Sequence, residues 1–240
     1  MKKILILLIP VLGLIACSPG GSSFYYENVY AFADVSTGGS LVLSPQGTRL
    51  QVTEDQTDGK WMQEQTVIIL CDLTGITETG AYETRLKMYE PVTRKAVLTK
   101  STADPAVYGT DAVTLYQDWG SDPKARWLNV SCLATSLKNS ETPHTIDLVV
   151  DDVRSNADTV YLELHHQGSG ESFENEGHPT SDFQVDTYYL RFDLSGAIPA
   201  DAGNSIVLSI EWDWFKTENG NLLRDQPIHD SATGTFNLKD

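Results

Sequence analysis

The chain consists largely of short segments in which apolar and polar residues alternate, and this pattern constrains the fold more than any other feature. Ten such segments, four to eleven residues long, are rich in β-branched or aromatic residues and are bounded by Gly, Asp, Asn, Pro or Ser. In one of them Ile206, Leu208 and Ile210 share a face, and Ser209 and Glu211 share the other. No stretch keeps a helical period. Because each strand buries one face and can expose the other, the sequence predicts an all-β fold of barrels or sandwiches.

Residues 99–111 (TKSTADPAVYGTD) interrupt this pattern. They show no alternation and concentrate Ser, Thr, Asp, Pro and Gly, which is typical of a linker. About five strands precede the segment, as in a small Greek-key barrel, and about five or six longer strands follow it, as in a sandwich. We therefore expect two domains that meet near this segment.

The first 17 residues predict export. Lys2 and Lys3 precede a twelve-residue apolar run at 4–15, which is too short to span a bilayer and has the plan of a signal peptide. The run ends in LIAC, which resembles the lipobox of bacterial lipoproteins and implies that Cys17 is the lipid-modified first residue of the mature chain. The alternative is an ordinary signal peptide that happens to contain a cysteine.

Residues 18–27 are expected to be a flexible tether between the membrane and the first domain. The sequence after Cys17, SPGGSS, lacks the acidic run that marks surface export in related bacterial lipoproteins. The predicted location is therefore the cell envelope, with the protein anchored in the outer membrane and facing the periplasm. The membrane is then reached through the lipid and without a spanning helix.

The charge of the chain limits its partners. The full sequence has a formal charge of −16; without Lys2 and Lys3 it has 15 basic and 33 acidic residues, which gives −18. Such an excess of acidic residues argues against binding nucleic acid and against docking on anionic lipid through a basic face. It is compatible with general solubility or with a cationic partner.

Two cysteines remain besides the predicted anchor, Cys71 and Cys132, and both lie in predicted strands. Export makes a disulfide chemically possible, but two cysteines only permit a bond. Because their strands fall in different predicted domains, we expect two buried and unpaired thiols.

The order of several segments resembles the NigD-like lipoproteins of bacterial cell envelopes. After the lipobox come LVLSPQGTRL at 41–50, GKWMQEQTVIILCDLTG at 59–75, HTIDLVVDD at 144–152 and LELHHQGSGE at 162–171. The resemblance covers nearly the whole mature chain. It implies an N-terminal OB-like barrel over 28–103 and a C-terminal β-sandwich over 107–240.

The same resemblance bears on function. The family is named after a gene of a bacteriocin operon, which implies a role in immunity or export, and it has no established catalytic residues to place on this chain. We therefore expect a non-catalytic, membrane-tethered protein that binds a peptide, a protein or a glycan. An OB-like barrel can bind single-stranded nucleic acid, but the basic and aromatic residues of this segment are diluted by acidic ones, so no nucleic-acid partner is predicted.

Residues 162–178 (LELHHQGSGESFENEGH) hold the densest group of side chains capable of chemistry. Alternation along the strand places His166 on the apolar face and His165 on the polar face, so these neighbours cannot readily bind one ion. Only His165 and His178 can converge across the loop between them. The alternative function is a metal-dependent or carboxylate hydrolase centred on that pair, but a structural role for the histidines is favoured.

The remaining candidates are binding residues. Trp119 and Trp127 flank a turn, and His165 and Glu171 border the polar loop, so all four are candidates for contact with a partner. The sequence lacks the H-E-x-x-H, G-x-S-x-G and phosphate-loop motifs. We therefore predict no catalytic residues, no metal and no cofactor.

Overall fold

A computed structural model describes residues 25–43, 47–115, 120–122, 126–138, 141, 143–168, 180–218 and 221–238. The predicted signal peptide with Cys17 lies outside these residues, as do the candidates Trp119, Glu171 and His178. No helix in the described ranges is long and apolar enough to cross a membrane.

The chain divides into two compact units, the first ending at Val92 and the second beginning at Thr93. The strands of the first unit are β1 (Tyr26–Ser36), β2 (Ser40–Leu43), β3 (Arg49–Asp55), β4 (Thr66–Ile76) and β5 (Tyr82–Pro91), with a 3-10 helix at Lys60–Gln63 between β3 and β4. They form a closed barrel in the order β1-β2-β3-β5-β4. All its neighbouring strands are antiparallel except β3 and β5, which run in parallel.

The barrel encloses its own apolar core. Alternate residues of β4 point inward, and Trp61 of the 3-10 helix is 2% exposed and belongs to the same core. The buried members are Ala33, Leu41, Leu50, Trp61, Val67, Ile69, Cys71, Leu73 and Leu86. Burial of such side chains is the main stabilising contribution in a barrel of this size.

The second unit contains the remaining elements. Its strands are β6 (Thr93–Ala96), β7 (Leu98–Thr99), β8 (Val113–Leu115), β9 (Gly120–Asp122), β10 (Trp127–Leu137), β11 (Thr145–Val150), β12 (Thr159–Gln167), β13 (Phe183–Asp193), β14 (Ser205–Glu218) and β15 (Asn221–Asn237). It also has a short helix α1 (Pro105–Tyr108) and a 3-10 helix at Thr180–Asp182.

These strands form two sheets. Sheet I has the order β6-β13-β10-β8, with β9 also paired to β10, and sheet II has the order β15-β14-β12-β11-β7. A single core takes apolar side chains from both sheets, such as Leu128 and Phe192 from sheet I and Leu148, Leu162 and Leu208 from sheet II. The predicted all-β fold, a small barrel followed by a β-sandwich, is therefore confirmed.

The boundary between the units lies between Val92 and Thr93, upstream of the predicted boundary at 103–107. The segment after Val92 forms β6 and β7, which pair in parallel with β13 and β11. The predicted linker also belongs to the second unit, because the amide of Lys100 donates to the carbonyl of Val150. The pattern of β6 and β7 is that of any strand, and only long-range pairing shows which sheet contains them.

The barrel also begins earlier than predicted, because β1 starts at Tyr26 within the predicted tether at 18–27. Its pairing with β4 shifts register between Tyr26 and Val29, and Asn28 has a positive φ of 56°. The amide of Asn28 donates to Oδ1 of Asp72 at 2.9 Å. This bulge breaks the alternation, which explains why the sequence pattern does not reveal the start of the strand.

Both cysteines of the described chain are buried and free, as predicted. Cys71 belongs to the core of the barrel, and Cys132 belongs to the core of the sandwich. Burial raises the pKa of the Cys71 thiol to about 12 and moves that of Cys132 well above its ordinary value. Neither thiol is suited to nucleophilic chemistry, because the reactive species is the thiolate.

Candidate functional site

A polar cleft with a volume of about 200 Å³ lies between sheet II and the segment after α1. Its lining residues are Thr110, Asp111, Glu163, Leu164, His165, Glu211, Trp212, Asp213 and His229. Sheet II supplies most of these residues through the polar positions of β12, β14 and β15, which face away from the sandwich core. The positions between them hold the apolar side chains of the core.

Strand pairing brings the acidic residues of the cleft together. β12 and β14 run in parallel, and their register places Glu163 directly beside Glu211. β14 and β15 are antiparallel, and their register places Asp213 beside His229. Side chains at such positions lie about 4.5–5.5 Å apart at their Cβ atoms, so like charges there repel unless other groups compensate them.

Lys100 compensates one of the two glutamates. Its Nζ lies 2.5 Å from Oε1 of Glu163 and 3.1 Å from Oδ2 of Asp151. The hydrogen bond to Glu163 is the main cause that raises the pKa of Lys100, although partial burial opposes it. Lys100 follows β7 at the far side of sheet II, so this ion pair joins the start of the sandwich to its middle strand.

Arg154 compensates the other glutamate. Its guanidinium donates two hydrogen bonds to Glu211, at 2.8 and 2.7 Å, and lies 4.3 Å from the centre of the Tyr161 ring. The hydrogen bond and charge of Arg154 lower the pKa of Glu211 against the opposing effect of burial. A bidentate pair of this kind fixes the orientation of the carboxylate.

Two histidines complete the polar lining. Nε2 of His165 lies 3.2 Å from Oε2 of Glu163, and the His165 ring packs against Tyr108 with centroids 4.5 Å apart. Nδ1 of His229 lies 2.9 Å from Oδ1 of Asp213. The side chain of Asp213 is 57% exposed, so this carboxylate faces solvent at the mouth of the cleft.

The cleft has more carboxylates than fixed cations. Its lining includes four carboxylates, those of Asp111, Glu163, Glu211 and Asp213. Among the described residues, the only lysine and arginine that form ion pairs with these carboxylates are Lys100 and Arg154. The formal surplus is two negative charges. A concave surface with such a surplus concentrates cationic groups from solution.

His166 points into the interior, opposite to His165, as the alternation predicts. It is fully buried, with Nδ1 3.2 Å from the carbonyl oxygen of Ala112 and Nε2 2.9 Å from Nδ1 of His144. These partners assign the proton of His166 to Nδ1, which donates to the carbonyl, so Nε2 accepts from His144. Burial lowers the pKa of His166 to about 4, and the neutral ring has a structural role.

The backbone around His166 is closely packed. The amide of Asp111 donates to the carbonyl of His166 at 2.9 Å, and the amide of Gly168 donates to Oδ2 of Asp111 at 2.6 Å. Gly109 has a φ of +68°, and a Cβ there would lie 2.6 Å from the carbonyl oxygen of His166. These contacts fix the segment after α1 against the end of β12 and thereby form one wall of the cleft.

The predicted binding residues are only partly brought together. His165 lines the cleft, whereas Trp127 is in sheet I, where the guanidinium of Arg94 lies 5.4 Å from the centre of its ring. The loop of His178 and Glu171 is outside the described residues. In the described part of the chain no group of three or more His, Cys, Asp or Glu side chains is arranged to hold a metal ion.

Sequence reasoning missed most of the cleft. It did not single out Glu163, Glu211, Asp213 or His229 as members of a site. Each of them occupies a polar position of an alternating strand, which is an ordinary position for a charged residue. The signal that unites them is the parallel pairing of β12 with β14, and a single sequence does not show this pairing.

Comparisons with known proteins agree with this architecture. Residues 95–194 match the family profile described as NigD-like C-terminal beta sandwich domain. A search of curated proteins found no match.

Several solved structures share the fold. A NigD-like immunity protein from Bacteroides caccae ATCC 43185 is 16% identical, with a TM-score of 0.54 over 85% of this chain and 92% of that chain. A protein from Bacteroides fragilis NCTC 9343, provisionally described as a lipoprotein, is 14% identical, with a TM-score of 0.60 over 88% and 98%. A protein of unknown function from Bacteroides vulgatus ATCC 8482 is 18% identical, with a TM-score of 0.56 over 87% and 89%. The resemblance of the sequence to the NigD-like family is thus confirmed for residues 95–194, which match the profile of its C-terminal β-sandwich domain.

Proposed function

We propose that this protein is a non-enzymatic, lipid-anchored protein of the cell envelope that binds a cationic peptide or protein segment at the cleft of sheet II. The observation that supports the proposal is the surplus of carboxylates in the cleft, four against two fixed cations in the described chain. Arg154 and Lys100 hold two of the carboxylates in place, and Asp213 remains open to solvent. A lysine or arginine side chain would supply the missing positive charge.

The chemistry of the cleft favours a peptide or protein over a glycan. Neutral sugars are commonly bound on exposed aromatic faces, and neither Trp127 nor Trp212 offers such a face near the cleft. Trp212 is 8% exposed and belongs to the sandwich core, and Trp127 already has Arg94 over its ring. Carboxylates in a half-enclosed cleft are instead suited to ammonium and guanidinium groups.

The proposal includes the location. The signal peptide at 1–17 and the lipobox at Cys17 support lipid anchoring in the outer membrane, with both units facing the periplasm. The family match and the relative described as a lipoprotein are consistent with this location. The strand order of the barrel and its parallel β3 and β5 support an OB-like barrel.

A role in immunity fits the same site. One structural relative is named an immunity protein, and capture of a cationic peptide before it reaches the membrane would provide such protection. This role requires only affinity, and no catalytic group is involved.

The proposal is tested with a decapeptide of alternating lysine and threonine, here called the Lys-Thr peptide, and with a control decapeptide of alternating glutamate and threonine. Binding to residues 18–240 is measured by isothermal titration calorimetry at low ionic strength. We expect the Lys-Thr peptide to bind, the acidic peptide not to bind, and Asp213→Asn to weaken binding about fivefold because one exposed ion pair is lost. The matched control is Glu54→Gln, which removes an exposed carboxylate of the barrel. Absence of binding by the unmodified protein, or an equal loss in both variants, would overturn the proposal.

A further inference from the structure

β15 forms an edge of sheet II, and in the described part of the chain its one partner strand is β14. Its described side chains from Ile228 onward are largely exposed; the exposed members are Ile228, His229, Asp230, Ser231, Thr233, Thr235 and Asn237. In an antiparallel pair, successive residues point their backbone groups alternately toward the partner and away from it. About half of the N–H and C=O groups of this stretch therefore face away from β14.

Residues 228–237 of this edge lack the features that usually prevent strand addition, whereas the preceding part of β15 has Pro227 and a register shift. Exposed edges are commonly protected by lysine, by proline or by a bulge. Residues 228–237 (IHDSATGTFN) contain no lysine, arginine or proline, and their pairing with β14 is regular. Thr233 and Thr235 add β-branched side chains that favour extended structure. The edge is thus competent to accept another strand.

The exposed edge is continuous with the acidic cleft. Register places His229, Ser231 and Thr233 of β15 beside Asp213, Glu211 and Ser209 of β14, on the same outer face of sheet II. A further strand would lie about 4.8 Å from β15, with every second side chain on that face. Long basic side chains on those positions would point over the row of His229 toward Asp213.

The other face of the edge has one exposed carboxylate. Asp230 is exposed and lies on the face opposite to His229, next to the exposed Ile228. In the described chain neither Asp230 nor Asp213 pairs with a lysine or arginine. Both rows of an added strand would therefore meet a carboxylate without a fixed cation.

We propose that a basic, extended segment of a partner protein binds by adding a strand to the free edge of β15 and directs alternate lysine or arginine side chains toward the acidic cleft. This inference rests on the proposed function and specifies how the cationic segment is held. Main-chain hydrogen bonds along the edge supply affinity, and the carboxylates of the cleft select for positive charge.

The charge of the chain favours such a partner over a second copy. Two copies paired through β15 would bring the carboxylates of both clefts together, and each chain has a formal charge of −16. Like charges at close range oppose association, whereas a basic segment is attracted to the same surface.

The first experiment separates main-chain pairing from charge attraction. A version of the Lys-Thr peptide with every amide N-methylated keeps its charges but cannot donate backbone hydrogen bonds to an edge strand. We expect the methylated peptide to bind residues 18–240 at least about tenfold more weakly than the unmodified peptide. Equal affinities for the two peptides would overturn strand addition and leave the proposed cationic binding intact.

The second experiment locates the added strand on the protein. Amide hydrogen exchange is followed by NMR with and without saturating Lys-Thr peptide. Strand addition predicts that alternate amides of residues 228–237, those directed away from β14, become protected on binding. Peptide binding without a change of protection in β15 would overturn the inference. Failure of the peptide to bind at all would instead contradict the proposed function on which it rests.

Discussion

The barrel and the sandwich each place carboxylates near positive groups, but with different results. In the barrel, Asp72 is 2% exposed and accepts hydrogen bonds from the amide of Asn28 and from Lys87, whose Nζ lies 2.5 Å away. In the sandwich, Asp213 is 57% exposed and pairs with His229. The buried carboxylate of the barrel therefore stabilises the bulge of β1 and is neutralised by Lys87. The exposed carboxylate of the sandwich has no lysine or arginine partner among the described residues and can bind a cation.

The electrostatics of Asp72 are consistent with a structural role. Burial by itself would raise the pKa of Asp72. The opposing effects are larger: Asp72 accepts hydrogen bonds from Lys87 and from the amide of Asn28, and it lies near the charges of Lys87 and Arg85. Its pKa therefore lies below the ordinary value. The carboxylate is thus ionised at neutral pH. An ionised buried group that loses its partners destabilises the fold strongly.

The largest effect is expected at Asp72. Replacing Lys87 by methionine leaves the buried and ionised Asp72 without its closest cation, so the barrel should lose about 4 kcal/mol of unfolding free energy. Urea unfolding followed through the NMR amide signals of β4 and β5 measures this loss for the barrel alone.

The control for this experiment is Glu54→Gln. Glu54 forms an ion pair with Arg85 at 2.6 Å, but it is exposed, so its removal should leave the unfolding midpoint nearly unchanged. A similar destabilisation by both substitutions would contradict the special role given to Asp72.

The second prediction concerns His166 and the pH dependence of the stability of the sandwich. An imidazole in the unfolded chain binds a proton near pH 6.5, but the buried His166 binds one only near pH 4. Between these values the unfolded state binds more protons, so stability is lost as the pH falls from about 6.5 to about 4, by about 3 kcal/mol in total. Below about pH 4 this contribution does not change further.

The measurement is the unfolding free energy of the sandwich at pH 7 and pH 4. His166→Phe should lower the unfolding free energy at pH 7, because two hydrogen bonds are lost. The same substitution should make the loss of unfolding free energy between pH 7 and pH 4 smaller. His229→Gln, at an exposed position of the same sheet, should keep the decline of the unmodified protein. A decline that is identical in all three proteins would show that His166 is not the group responsible.

Some of this organisation could be predicted from the sequence. The period of two along β12 correctly separates His165 from His166, because opposite faces follow directly from strand geometry. The barrel and the sandwich follow from the number and length of the alternating segments. The boundary could not be predicted, because Thr93 begins a strand whose partner, β13, lies about 90 residues further along the chain.

The cleft could not be predicted for a related reason. Glu163 and Glu211 become neighbours only through a parallel pairing between strands that are distant in sequence. The cations that hold them, Lys100 and Arg154, come from turns outside the two strands. A site made from four such segments has no local motif, which is why the dense histidine segment was the more visible candidate.

The smallest predicted effect is an increase in peptide affinity, whereas Asp213→Asn is expected to lower that affinity. Arg154 neutralises Glu211, so Arg154→Gln should release this carboxylate and strengthen binding of the Lys-Thr peptide about threefold at low ionic strength. The matched control is Arg85→Gln in the barrel, which removes an arginine from a comparable pair with Glu54 and should not change the affinity. Calorimetric titration of both variants measures the difference, and weaker binding by Arg154→Gln would show that the peptide does not approach Glu211.

The central claim, that the carboxylates of the sandwich and not those of the barrel receive a cationic partner, is tested most directly by NMR chemical-shift mapping. The Lys-Thr peptide is titrated into isotope-labelled residues 18–240 at constant pH. We predict that the largest shift changes occur in the sandwich, along β15 and at the cleft residues Asp213, Glu211 and Glu163, and that Asp72 in the barrel is unaffected. Shift changes centred on the barrel, or spread evenly over acidic residues of both units, would contradict the account.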